Sequence, residues 1–218
     1  MIRLYAVVDG LGGESVPSGA GVALETREIE GLHVVLSTDP PAAEPSDEAL
    51  LRHALVVEDL MASSAAVLPA RFGDDFPDEE SLVRAIRDRS AALREALRRV
   101  HGCVEIGLRV LGPDRAQASM PVESGSAYME RRLAEVSASE RLVRDLHGPL
   151  AELARESVVQ RSASPVLLLA AYLLPPDLVT AFQDQLRRLE ASHPELDFVC
   201  TGPWAPYSFA SLPPEESD

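Results

Sequence analysis

Apolar positions along this chain follow two periods, and the points where one gives way to the other predict the elements. Ile2 to Val8 is a short apolar run with β-branched members, as in a buried strand. The Gly-rich stretch from Gly10 to Gly21 reads as a loop. Val22 to Ile29 and Leu32 to Ser37 flank Glu30-Gly31 and predict a hairpin. Asp39 to Pro45 holds three prolines and reads as a linker loop. Ser46 then offers a helix cap, with Asp47 and Glu48 in the first turn, where the helix dipole favours anions. Leu50, Leu51, Ala54, Leu55 and Met61 recur at helical spacing and are expected to form its buried side. Ala65 to Phe72 is extended and apolar. The acidic stretch Asp74 to Glu80 opens a further helical pattern, with the stripe Leu82, Ile86, Leu93, Leu97 and Val100. Val104 to Leu111 alternates apolar with polar positions, the mark of a strand with one polar face.

Gly112 to Gly125 carries Pro, Gly and Ser and marks the main break. Beyond it, Ser126 is a cap for a helical seam through Met129, Leu133, Val136, Val143, Leu146, Leu150 and Leu153, with a repeat near the heptad's. Gly148-Pro149 is expected to kink or split that seam. Val166 to Leu174 reads as a central strand, apolar on both faces. Pro175-Pro176-Asp177 starts another helix, and Leu196 to Thr201 is a last strand. The order β-β-β-α-β-α-β followed by α-β-α-β predicts an α+β protein of two units, each ferredoxin-like. The expected domains are residues 1–111, 112–202 and a tail at 203–218, with the boundary between 100 and 125.

Composition narrows the function classes. Apolar residues are 46% and charged residues 25%, a balance that supports a packed core rather than a disordered chain. Thirty-five acidic against 20 basic residues give a net charge of −15, which disfavours nucleic acid and anionic membrane surfaces as partners. All the basic residues are Arg. The longest apolar run, Val166 to Leu174, is too short to span a bilayer, and Asp9 interrupts the N-terminal run too early for a signal peptide. A soluble, cytoplasmic protein is expected. Cys103 and Cys200 are far apart and read as two buried free thiols. Gly10-Leu11-Gly12-Gly13 opens no helix and reads as a loop, not a phosphate cradle. No two of the five histidines share the i, i+4 spacing of a metal site, so no metal, cofactor or catalytic set is expected.

Two segments resist a purely structural reading. In Val67-Leu68-Pro69-Ala70-Arg71-Phe72-Gly73 an arginine interrupts an apolar stretch. Arg71 is expected to be buried and ion-paired, with Glu105 as candidate partner, because an unpaired buried charge is costly. In Thr201-Gly202-Pro203-Trp204-Ala205-Pro206-Tyr207-Ser208-Phe209 three aromatics are stiffened by prolines. Trp204, Tyr207 and Phe209 either dock on their own C-terminal unit or serve as anchors for another protein. Arg71, Phe72, Glu105, Trp204, Tyr207 and Phe209 are thus the candidate structural or partner-binding residues.

These segments resemble the GvpF/GvpL family of gas vesicle proteins. Leu68 to Gly73 matches the family's Leu-Pro-x-Arg-Phe-Gly segment, and Gly202 to Phe209 resembles its Gly-Pro-Trp-Pro-Pro-Tyr-Ser-Phe segment. Leu4-Tyr5-Ala6-Val7-Val8 and Gly125-Ser126-Ala127-Tyr128-Met129 are similar to further family stretches, in the same order. Ala205 replaces a usual proline, Asp74 a common threonine, and Ile106 a frequent tryptophan, which leaves the F or L type open. The resemblance implies a two-domain α+β fold, with a ferredoxin-like N-terminal unit and a C-terminal tail. It also implies a non-enzymatic accessory protein of gas vesicle assembly, associated with vesicles in the cytoplasm. Its implied partners are the small apolar shell protein and other gas vesicle accessory proteins. The competing expectation is a small-ligand-binding or enzymatic protein on a ferredoxin-like scaffold, which requires a concave pocket with convergent polar groups. A component of the shell itself is disfavoured by the charged composition.

Overall fold

The computed structural model of the chain describes residues 1–10, 21–38, 46–113, 129, 140–160 and 165–210. It separates into two compact units. The first comprises residues 1–105 and the segment from Trp204 onward, and the second runs from Ile106 to Pro203.

The first unit is built on an antiparallel sheet. Strand β1 (Ile2–Val8) pairs with β3 (Leu32–Ser37) on one side and with β4 (Val67–Pro69) and β5 (Asp75–Phe76) on the other, while β2 (Glu25–Ile29) extends the sheet beyond β3. The β2–β3 hairpin turns on Glu30 and Gly31, with φ of 53° and 71°. Positive φ at both central residues is the two-residue turn whose twist matches paired strands. Helix α1 (Asp47–Ser63) starts where Ser46 Oγ accepts from the Ala49 N–H at 3.2 Å. Helix α2 (Glu79–Asp88) is capped in the same way by Asp78, and α3 (Ser90–Val100) follows. The stripe Leu82, Ile86, Leu93, Leu97 and Val100 is buried as expected, but the helix breaks at Arg89 (φ −111°, ψ 6°) into these two pieces.

In the second unit the sheet order is β7 (Glu156–Gln160), β8 (Val166–Leu174), β6 (Val104–Leu111), β9 (Asp197–Trp204). Helix α4 (140–151) and α5 (Val179–Ser192) supply Leu146, Leu150 and Phe182 to its core, where Tyr172 of β8 lies 4.9 Å from Phe182, ring to ring. At Gly107 in β6 a Cβ would sit 2.8 Å from Thr201 Oγ1 of β9, so a larger residue there would have to displace that side chain.

The α+β class holds, and several details differ from expectation. The first unit keeps the antiparallel strand order of a ferredoxin-like sheet, β2-β3-β1-β4, with β5 as an added pairing on β1, and residues 11–20 between β1 and β2 lie outside the described residues. Helix α4 runs through Gly148-Pro149 without a break: Pro149 lacks the N–H that would bond the carbonyl four residues back, but it lies in the last turn, so few helical residues follow the lost bond. The side of α1 carrying Leu50, Leu51 and Leu55 is exposed, and the helix buries His53, Val56, Val57 and Leu60 instead. Cys103 is buried, but Cys200 is exposed. The Ser126 cap, the seam positions Leu133 and Val136, the 39–45 linker and most of the 10–21 loop lie outside the described residues.

Candidate functional site

The segment from Val67 to Phe76 leaves β4, turns, and rejoins β1 through β5. Three buried contacts hold it. The Arg3 guanidinium grips the Asp75 carboxylate with two bonds, Nε to Oδ1 at 2.8 Å and Nη2 to Oδ2 at 2.9 Å. Both side chains are sequestered, at 3% and 16% exposure. Arg3, mainly through this hydrogen bond, holds the Asp75 carboxyl below the usual carboxylate range. Arg3 also stacks over the Phe72 ring at 4.9 Å. The third contact comes from α1. His53 Nε2 bonds the Ala70 carbonyl at 3.0 Å, and since a carbonyl only accepts, this nitrogen carries the proton. The imidazole lies between Tyr5, stacked at 4.9 Å, and the edge of Phe72 at 5.8 Å. Its Nδ1 is buried without a hydrogen-bond partner, and burial pushes the His53 value below the ordinary imidazole range. A neutral His53 satisfies the carbonyl; a charged one would be desolvated beside Arg3.

The C-terminal segment closes on the same unit. Ala205 lies in the core cluster with Tyr5, Val56 and Val67, and Tyr207 packs against it. Helix α6 (Tyr207–Ala210) is fixed by Glu105, whose two oxygens accept from the Ser208 N–H at 2.8 Å and the Ser208 Oγ at 2.7 Å. Arg99 of α3 donates to the Phe209 carbonyl at 2.6 Å. Burial raises the Glu105 carboxyl above its ordinary value despite both Ser208 bonds.

Between these two segments lies a groove of about 560 Å³. Leu68, Pro69, Ala70 and Arg71 form one wall, Ala85, Ile86, Arg89 and Leu93 another, and Tyr207 and Ala210 a third. Its charged groups are exposed Arg71, Arg89 and Asp74 and half-buried Asp75, and Arg89 has no ion pair among the described residues. Burial pushes the Tyr207 hydroxyl up to about 12, so it is neutral at physiological pH.

The groove therefore joins Arg71 and Tyr207, which are far apart in the chain. Phe72 turns inward onto Arg3 and His53. Phe209 is 2% exposed, and Trp204 stays 55% exposed. Two expectations are corrected. Arg71 is exposed rather than buried, and the Glu105 carboxylate goes to Ser208. The tail docks on the N-terminal unit, not the C-terminal one, because its apolar partners lie around Tyr5, Val56 and Val67. Sequence reasoning missed Arg3, His53, Asp75, Arg89 and Ser208. The signals existed for two of them: Arg3 interrupts an apolar strand as Arg71 does, and His53 lies at helical spacing from Val56, Val57 and Leu60.

Comparison with known proteins agrees with this architecture. The family model described as gas vesicle synthesis protein GvpL/GvpF matches residues 2–211. Gas vesicle protein F2 of Halobacterium salinarum is 29% identical over 204 residues, covering 88% of this chain and 84% of that protein. Gas vesicle protein L of a Streptomyces species is 29% identical over 252 residues, covering 98% and 94%. The crystal structure of gas vesicle protein GvpF from Anabaena superposes with a TM-score of 0.79 at 19% identity, covering 100% of this chain and 98% of that one. The GvpF structure from Microcystis aeruginosa gives the same score at 20% identity, covering 97% and 99%.

Proposed function

This chain belongs to the gas vesicle synthesis protein GvpL/GvpF family, and from that premise we propose that it acts in vesicle formation as a non-enzymatic assembly factor. It binds the small apolar shell protein in the cytoplasm through the groove of its N-terminal unit and helps to nucleate or build the vesicle. The supporting observation is that the two segments carrying the family resemblance, around Arg71 and Tyr207, wall one groove. Apolar lining side chains with arginines and aspartates of both signs at the edge suit an apolar polypeptide segment flanked by polar groups.

The groove's volume falls within the range of small-ligand sites, which keeps the ligand-binding alternative in view. Its chemistry favours gripping over turnover. Arginine does not give up its proton, Asp75 is held ionised by Arg3, and Tyr207 is held neutral, so these groups do not supply an acid or base poised near neutrality. Ala85→Arg fills the groove from α2 without touching the buried contacts. Co-purification with the shell subunit should fall at least tenfold in this variant while its circular dichroism is unchanged. Undiminished capture by the folded variant would reject the groove as the binding site.

A further inference from the structure

Helix α1 carries apolar residues on two sides, and one side is exposed among the described residues. His53, Val56, Val57 and Leu60 pack into the first unit's core. Leu50, Leu51 and Leu55 are 46%, 61% and 41% exposed, and Ala54 and Ala62 beside them are exposed too. Of the other large exposed apolar residues among the described residues, Val199 and Trp204 share β9 five positions apart, and Met1, Met129 and Val159 stand singly, so no other element carries three. Leu51 and Leu55 stand one turn apart, so together with Leu50 and Ala54 they form a continuous apolar strip on the solvent side. None of these residues lines the groove.

The strip's surroundings indicate what covers it. Glu48 lies one turn before Leu51, and Glu58 and Asp59 lie one turn after Leu55, with Asp47 at the helix start. The helix's single cation, Arg52, is bound to Glu48 at 2.7 Å. The strip is thus leucine-centred with an acidic border. A second copy of this chain would bring like charges together, which disfavours self-association through this face. An anionic bilayer is disfavoured for the same reason.

We propose that this face of α1 is a docking surface for an amphipathic helix of another polypeptide, one whose apolar stripe is bordered by Arg or Lys. The apolar stripe covers Leu50, Leu51 and Leu55, and the cations meet Glu48, Glu58 and Asp59. This surface is separate from the groove and does not depend on what the groove binds.

The test uses the full chain and a fluorescently labelled synthetic peptide of about 18 residues, five helical turns, with a leucine stripe flanked by arginines. Binding is read by fluorescence anisotropy. The wild-type chain should bind it, and a peptide of equal charge with serines in place of the leucines should bind at least tenfold more weakly. Leu51→Ser/Leu55→Ser, which leaves the net charge unchanged, should weaken binding at least tenfold. Glu58→Arg/Asp59→Arg should weaken it comparably without removing a leucine. Failure of the leucine-striped peptide to bind would overturn the proposal, as would equal binding of the serine peptide or undiminished binding by either variant. A wild-type chain that dimerises, with Leu51→Ser/Leu55→Ser monomeric, would instead assign the face to a second copy and overturn it too.

Discussion

Ser208→Ala should destabilise the N-terminal unit by an amount that grows with pH. The Ser208 hydroxyl donates to Glu105 Oε1 at 2.7 Å, while its backbone N–H holds Oε2 at 2.8 Å. Glu105 is buried, so no water replaces the lost donor freely. A hydrogen bond to an ionised group contributes about 1.5–3 kcal/mol, and one to a neutral group about 0.5–1.5 kcal/mol. Burial already raises the Glu105 value, and the Ser208 bonds oppose that rise. The folded state thus binds the Glu105 proton more tightly than the unfolded state does. The stability this lends is complete below the unfolded value and lost as pH rises through the folded one. Removing the hydroxyl raises the folded value further, so the variant's deficit is largest where Glu105 is ionised and smallest where it is protonated. Urea unfolding followed by the fluorescence of Trp204, the chain's one tryptophan, measures this at the start of the docked segment. A loss of about 2 kcal/mol at neutral pH shifts the midpoint by about 1 M for a typical urea slope. At about pH 4, below the ordinary carboxylate value, the shift should be less than half as large. A neutral-pH loss under about 0.5 kcal/mol, or equal losses at both pH values, would refute the reasoning.

Three further outcomes are expected. Asp75→Asn removes the bidentate partner of a buried guanidinium and should cost about 3 kcal/mol in urea unfolding, whereas Arg3→Met with Asp75→Leu should recover most of it. His53 is held neutral by burial, with its folded value below the unfolded one, so its contribution is complete above about pH 6.5 and is lost as pH falls through the lowered folded value. The stability difference between the wild type and His53→Phe should therefore shrink on acidification, and a pH-independent difference would count against a neutral imidazole. Phe209→Ala empties a site that is 2% exposed and should cost about 3–5 kcal/mol by the same unfolding assay.

Local rules located most elements because the residues that make them are contiguous. Glu30-Gly31 between two apolar runs was enough for the hairpin, Ser46 for the start of α1, and the alternation from Val104 to Leu111 for β6. The choice of face on α1 was not local. Two apolar arcs compete there, and the one richer in leucine lost to Val56, Val57 and Leu60 because the latter meet the sheet. The site was half legible. An arginine in an apolar stretch does signal a buried ion pair, but the buried one is Arg3, because β1 is the central strand and Arg3 faces Asp75 directly across to β5. Arg71 stands in a turn and points outward. Nothing near Ser208 in the chain foretells its bonds to Glu105, a contact across 103 residues.

The buried polar groups of the N-terminal unit share one consequence. Arg3 holds Asp75, His53 holds the Ala70 carbonyl, Phe72 is wedged between Arg3 and His53, and the Arg71 N–H is itself bonded to Asp74 Oδ2 at 2.9 Å. These contacts fall on either side of Arg71 and leave its guanidinium exposed. Burying an ion pair and an imidazole is an inefficient way to stabilise a domain, since apolar residues of similar volume do as well or better. It is an effective way to fix one loop conformation, because a desolvated polar group tolerates few alternatives to its partner. A groove wall set in place before a partner arrives needs little ordering on association, which leaves more of the contact energy for affinity. The opposite wall is set the same way, by Glu105 on Ser208 and Arg99 on the Phe209 carbonyl. Polar ties under both walls and the apolar side chains that line it make the groove a preorganised surface.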